Sequence, residues 1–137
     1  MRNIIMKKKV YLGGTISGST WRDELIELLK IDYFKPTNEV WSEEGYKEAQ
    51  SQREICDYFL YVITPKVIDM HTITSLSQDS SMYPDKTIFC ALSVDDGSTF
   101  SQEQIQSLDE ISKVVSSNGA KVFSDLKSVA EFLNSKE

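Results

Sequence analysis

A chain of 137 residues, 40% hydrophobic and 26% charged, has the make-up of one ordinary globular domain, long enough to bury roughly two-thirds of the surface its unfolded form exposes. Its formal net charge of −6 argues against nonspecific nucleic-acid binding, which needs a basic surface. No apolar run approaches the roughly 20 residues of a membrane span, and Ile4–Ile5–Met6 precedes its lysines, the reverse of a secretory leader.

A first strand is expected over Lys9–Leu12, broken by Gly13–Gly14–Thr15 and a small polar turn from Ile16 to Ser19. Thr20 is placed to N-cap a helix, with Glu24 completing something close to a capping box. Trp21, Leu25, Ile26, Leu28 and Leu29 follow at helical spacing, which makes Trp21 a core residue before it is a stacking platform. A strand, a glycine turn and a helix N-terminus together favour an anion. The sequence GGT lacks both the dinucleotide fingerprint and the Walker lysine, so a merely conformational role for the glycines stands equally open.

Ile31–Phe34 is expected as a short second strand ending at Pro36, and Asn38–Trp41 as a loop in which Trp41 could stack on a base. Ser42, with Glu43 and Glu44 in the first turn, opens a second helix running to about Cys56. Its Glu48, Gln50, Gln52 and Arg53 give it a solvated face.

Tyr58–Thr64 is an unbroken aromatic and β-branched run stopped by Pro65, which fits a strand buried on both faces inside a parallel sheet. Ligands of open α/β sheets sit beyond the carboxyl ends of such strands. The loop Pro65–Ser75 is therefore expected to carry or border whatever the chain binds. Asp57 is taken to stand at the mouth of this strand.

Lys86–Ser93 is expected as a fourth strand and Asp95–Asp96–Gly97–Ser98 as a turn. Ser101 with Gln104 caps a helix carrying Ile105, Leu108, Ile111, Val114 and Val115 on one face, and Asn118–Gly119 closes it in the left-handed manner. A short edge strand at Lys121–Phe123 and a last helix with Leu126, Val129, Phe132 and Leu133 inward complete the chain. Strands alternating with helices imply a parallel sheet covered on both faces. Cys56 and Cys90 lie in or beside predicted strands, which suits buried reduced thiols in a cytoplasmic protein. One histidine and no close Cys/His spacing argue against a metal site, and nothing implies a cofactor.

The segments VYLGGTISGSTWRDEL, PTNEVW, REICDYFLYVITP, the DSS–PDKTIFC stretch and NGAKVF resemble, in this order, the nucleoside 2-deoxyribosyltransferase-like family from about Lys9 to Leu133. The family's fold is similar to that of TIR domains. The resemblance therefore implies one α/β domain over residues 1–137, a flavodoxin-like three-layer sandwich whose five-stranded parallel sheet has the order 2-1-3-4-5. It also implies a nucleoside or nucleotide ligand, chemistry on an N-glycosidic bond, and homo-oligomers with shared sites. By the same resemblance Gly13, Gly14 and Thr15 line the sugar pocket, Asp57 helps handle the base, and Asp69 corresponds loosely to a second aspartate. The family's Ser-Ile-Ala-Glu reads Thr72–Ile73–Thr74–Ser75 here, so Ser75 stands where the nucleophilic glutamate is expected.

That replacement matters chemically, because glycosyl transfer by double displacement needs a carboxylate to trap an oxocarbenium-like centre and leave again. His71, Ser75 and Asp79 superficially suggest a nucleophilic triad, but their spacing puts the serine in the middle, where a working triad has its histidine. Asp57 and Asp69 are the carboxylates expected to serve acid–base work in Ser75's company. The Ser75 side chain is expected to face the pocket near Gly14 and Asp57, and a bulky residue at Gly14 to block ligand binding in a folded domain. Three readings follow: a deoxyribosyltransferase or N-glycosidase with an altered nucleophile, a silent ligand-sequestering or sensing protein, and a TIR-like interaction module.

Overall fold

The computed structural model describes residues 7–16, 18–36, 42–67 and 70–137. The Ile4–Ile5–Met6 run, the loop at Asn38–Trp41 and Asp69 lie outside them.

Among the described residues, seven strands and five helices follow one another as β1 (Lys9–Gly14), α1 (Trp21–Leu28), β2 (Asp32–Phe34), α2 (Glu43–Ile55), β3 (Tyr58–Ile63), α3 (His71–Met82), β4 (Thr87–Ala91), β5 (Val94–Asp95), β6 (Ser98–Thr99), α4 (Gln102–Asn118), β7 (Lys121–Phe123) and α5 (Leu126–Asn134). Five strands form one sheet in the order β2-β1-β3-β4-β7, and every pairing in it is parallel. This is the flavodoxin-like order expected, with β7 as the fifth sheet strand. The expected turn at Asp95–Ser98 closes a separate two-stranded hairpin, β5–β6.

Side chains of a strand alternate between the two faces of its sheet, and the three central strands divide their core accordingly. Val10, Leu12, Leu60, Val62, Ile88 and Cys90 pack with Trp21 and Leu25 of α1 and Val129 and Leu133 of α5. Tyr11, Phe59, Tyr61, Ile63 and Phe89 turn the other way, towards Ala49 of α2, Leu76 of α3 and Leu108 and Val115 of α4. With both faces covered, β3 has no solvent side, which is why it reads as a continuous apolar run.

Local signals set the helix boundaries. Ser42 accepts from the Gly45 N–H at the start of α2, Ser101 and Gln104 form the expected capping box, and Asp125 caps α5 through the Ser128 N–H. Gly119 ends α4 with φ 108°, a left-handed conformation. At α1 the expected cap is corrected. The Thr20 hydroxyl donates to Glu24 Oε2 at 3.0 Å and takes no backbone N–H.

Candidate functional site

Beyond the carboxyl ends of β1 and β3, and down the sheet face between α2 and α3, runs a cleft of about 740 Å³. Its size lies within the usual range for small-molecule sites. β1 and the turn after it contribute Tyr11, Gly13, Gly14, Thr15 and Ile16, and β3 contributes Tyr61. Along α2 the lining residues are Tyr46, Ala49, Gln50 and Arg53; along α3 they include His71, Thr72, Ser75, Gln78, Asp79 and Met82. Both sets recur at three- and four-residue intervals, so each helix offers one face to the groove.

The turn after β1 is built by backbone geometry. Gly14 has φ +116°, and a Cβ there would stand 2.0 Å from the Val62 carbonyl oxygen. Glycine is thus demanded by the close approach of β1 to β3. Thr15 is buried at 3% exposure. Its N–H donates to the Val62 carbonyl at 2.9 Å, its Oγ1 accepts from the Thr64 N–H at 3.0 Å, and its carbonyl accepts from Trp21 Nε1 at 2.6 Å. Trp21 is accordingly the core residue expected, and its polar edge fixes the floor of the cleft.

Deeper in the groove sits a charged cluster that the sequence did not reveal. Arg53 donates to Asp79 Oδ1 at 2.7 Å and to the Tyr61 hydroxyl at 3.1 Å. Tyr61 in turn donates to Asp79 Oδ2. The guanidinium lies 4.4 Å from the centroid of the Phe59 ring, a stacking arrangement suited to arginine. Burial opposes the charge of Arg53, yet its bond to Asp79 and the nearby Tyr61 hold its pKa above the ordinary arginine value. Burial, and then the Asp79 carboxylate, push Tyr61 far up, so the phenol keeps its proton and donates. α2 has the solvated face expected, but Gln50 and Arg53 lie on its other side with Tyr46 and Ala49, facing the groove; the intervals joining these four residues are the signal in the sequence.

Gly13, Gly14, Thr15 and Ser75 therefore share one cleft. Asp57 does not, and its expected place beside Gly14 is corrected. It precedes β3, so it lies at the amino end of the sheet, where its Oδ2 accepts from the Lys9 N–H at 2.9 Å. Gly14 is five residues further along β1, roughly 16 Å away. Asp57 also does not stand near the strand's carboxyl end, so it is not a partner for Ser75. Asp69 is outside the described residues. Among the described residues the aspartate that enters the cleft is Asp79, one helical turn beyond Ser75, and its two oxygens accept from Arg53 and Tyr61.

Compared with protein-family models, curated proteins and solved structures, the chain matches none. The site is thus described by its own chemistry. Among the described residues no group of three or more His, Cys, Asp or Glu is arranged to hold a metal ion, and no helix is long and apolar enough to cross a membrane. A second hollow of about 500 Å³ lies beside β4, β7, α4 and α5. Its Asp125 carboxylate is already engaged by the Ser128 N–H and hydroxyl.

Proposed function

We propose that the cleft between α2 and α3 binds a nucleoside or nucleotide, and that the chain does not cleave it by the glutamate route of the transferases it resembles. One observation carries this reading: Ser75 lines the same cleft as Gly13, Gly14 and Thr15, at the position where the resemblance expects a carboxylate. A neutral hydroxyl does not stabilise an oxocarbenium-like centre as a carboxylate does. Asp79 does not replace it, because a carboxylate bound by a guanidinium and a phenol has little electron density left to attack. The protein is in this view a sequestering or sensing protein. A cleft this large argues against a TIR-like module with a vestigial pocket.

A thermal-shift series with nucleosides, nucleotides and NAD tests the reading. A specific ligand at a hundred times its Kd contributes about 2.7 kcal/mol, a rise in Tm on the order of 10 °C for a domain of this size. If no member of the series raises Tm in a saturable way, the reading fails.

Self-association belongs to the same proposal. Tyr46, Met82 and Tyr83 are 58%, 58% and 41% exposed, and all three line the cleft, so a second copy seated at the rim would cover apolar surface. Light scattering at micromolar concentration is expected to give a multiple of the chain mass; a monomer mass ends this part. Two buried free cysteines support a reducing, cytoplasmic setting.

A further inference from the structure

We propose that the ligand is a nucleoside phosphate rather than a free nucleoside, and that Lys66 receives its phosphate at the end of the groove where α3 begins. This inference rests on the reading of the cleft as a nucleoside or nucleotide site, and it adds which of the two is bound and in what orientation.

The charge distribution motivates it. The chain carries 21 acidic residues against 15 lysines and arginines, yet among the described residues that line the cleft the carboxylate is Asp79, set against Arg53 and Lys66. Asp79 is 3% exposed and fully engaged by Arg53 and Tyr61, so that pair cancels within the groove. Among the described lining residues, Lys66 is the charge left over. Its carboxylate partner among the described residues is Asp96 at 3.5 Å, whose side chain is 87% exposed. An ion pair of that kind contributes little and yields readily to a doubly charged phosphate.

Lys66 is also held in position. Its backbone N–H donates to Thr64 Oγ1 at 3.1 Å, just past β3. Its Cδ lies 3.7 Å from where a Cβ of Gly18 would stand, so the stem rests across the turn between β1 and α1. Lys66 lines the same cleft as His71 and Thr72, the first residues of α3. The positive end of the α3 dipole adds to the lysine's field there, and lysine is a common point-charge partner of phosphate.

The groove has polarity along its length. From His71 to Met82 it follows α3 for roughly 16 Å. Its far end is formed by Met82 and Tyr83, both apolar in contact surface and half-exposed. An anionic group therefore belongs at the Lys66 end and a flat, weakly polar base towards the aromatic end, with the sugar between them opposite Ser75.

Titration calorimetry with adenosine, guanosine, cytidine and uridine, their 5′-monophosphates and inorganic phosphate tests this on the wild-type chain, Lys66→Gln and Lys66→Arg. At least one monophosphate is expected to bind ten-fold or more tightly than its own nucleoside, and than inorganic phosphate. Added salt should shrink that margin, Lys66→Gln should reduce it to within two-fold, and Lys66→Arg should retain most of it. Equal binding of nucleoside and monophosphate overturns the phosphate inference while leaving the cleft reading intact. Binding of inorganic phosphate as tight as that of the monophosphates overturns it too, as does a margin that survives Lys66→Gln. If nothing in the panel binds, the cleft reading itself falls.

Discussion

Gly14 and Ser75 are neighbours in one cleft and make opposite demands on an experimenter. At Gly14 the positive φ and the Val62 backbone leave no space for a side chain, so even Gly14→Ala forces β1 away from β3. The expected loss is about 2 kcal/mol or more, read as a lower urea midpoint. This corrects the expectation that a bulky residue there would leave a folded domain with an empty pocket; a wild-type midpoint for Gly14→Ala would refute the strained turn. Ser75 is half-buried on a helix face that opens onto the groove and tolerates exchange. Ser75→Glu places a carboxylate at that point, and on the proposed reading we expect measurable release of free base from a nucleoside or nucleotide where the natural chain releases none. Burial raises a carboxylate's pKa, so the chromatographic assay should extend from neutral to mildly alkaline pH. Base release by the natural chain at the same rate as the variant would assign the chemistry to another residue.

At the scale of elements, α2 and α3 are joined across the groove by Arg53, Tyr61 and Asp79 rather than by apolar packing. Removing one member strands the others in a poorly solvated place. Asp79→Ala is expected to cost about 3–5 kcal/mol, whereas Tyr61→Phe, which removes only a hydroxyl, should cost about 1–2 kcal/mol. Chemical denaturation of the two variants separates these magnitudes, and equal small losses would mean the cluster is solvated and independent. The elements themselves were legible in the sequence to the extent that their signals are local. Ser101 with Gln104 and Asn118–Gly119 each involve residues at most three apart, and each stands where expected. The Arg53–Asp79 pair spans 26 residues, a separation at which neither periodicity nor capping chemistry gives information. Asp57 failed for a different reason: its neighbourhood in sequence was right, but a residue preceding a parallel strand belongs to the amino end of the sheet. The β5–β6 hairpin was seen only as its Asp–Gly turn, because two-residue strands are too short to alternate.

For the molecule as a whole, the sheet buries two thiols deeply enough to change its response to base. Burial pushes Cys56 up to about 11 and Cys90 up to about 12, above the ordinary thiol value near 9. A raised pKa in the folded state favours the protonated thiol there. The associated stability is complete below the unfolded-state value and is lost as pH rises through the folded ones. We expect Tm to fall between about pH 9 and 12, with Cys90→Ala and Cys56→Ala each flattening part of the decline. A thiol reagent at pH 8 should label neither cysteine until the chain unfolds, and fast labelling of the native protein would contradict this burial. The order β2-β1-β3-β4-β7 was not readable from the pattern of apolar residues, which says that a strand is buried but not beside which neighbour. It was expected on the resemblance alone.

The bond from the Trp21 indole to the Thr15 carbonyl gives the cleft an optical reporter. This indole is 2% exposed and bonds the backbone of Thr15, which lines the cleft, so any ligand that shifts the turn by a few tenths of an ångström alters the dipoles around an excited state. The chain has two tryptophans; with Trp41→Phe removing the other, the emission of Trp21 becomes a label-free gauge of occupancy, one that follows binding in real time and needs no knowledge of the ligand's name.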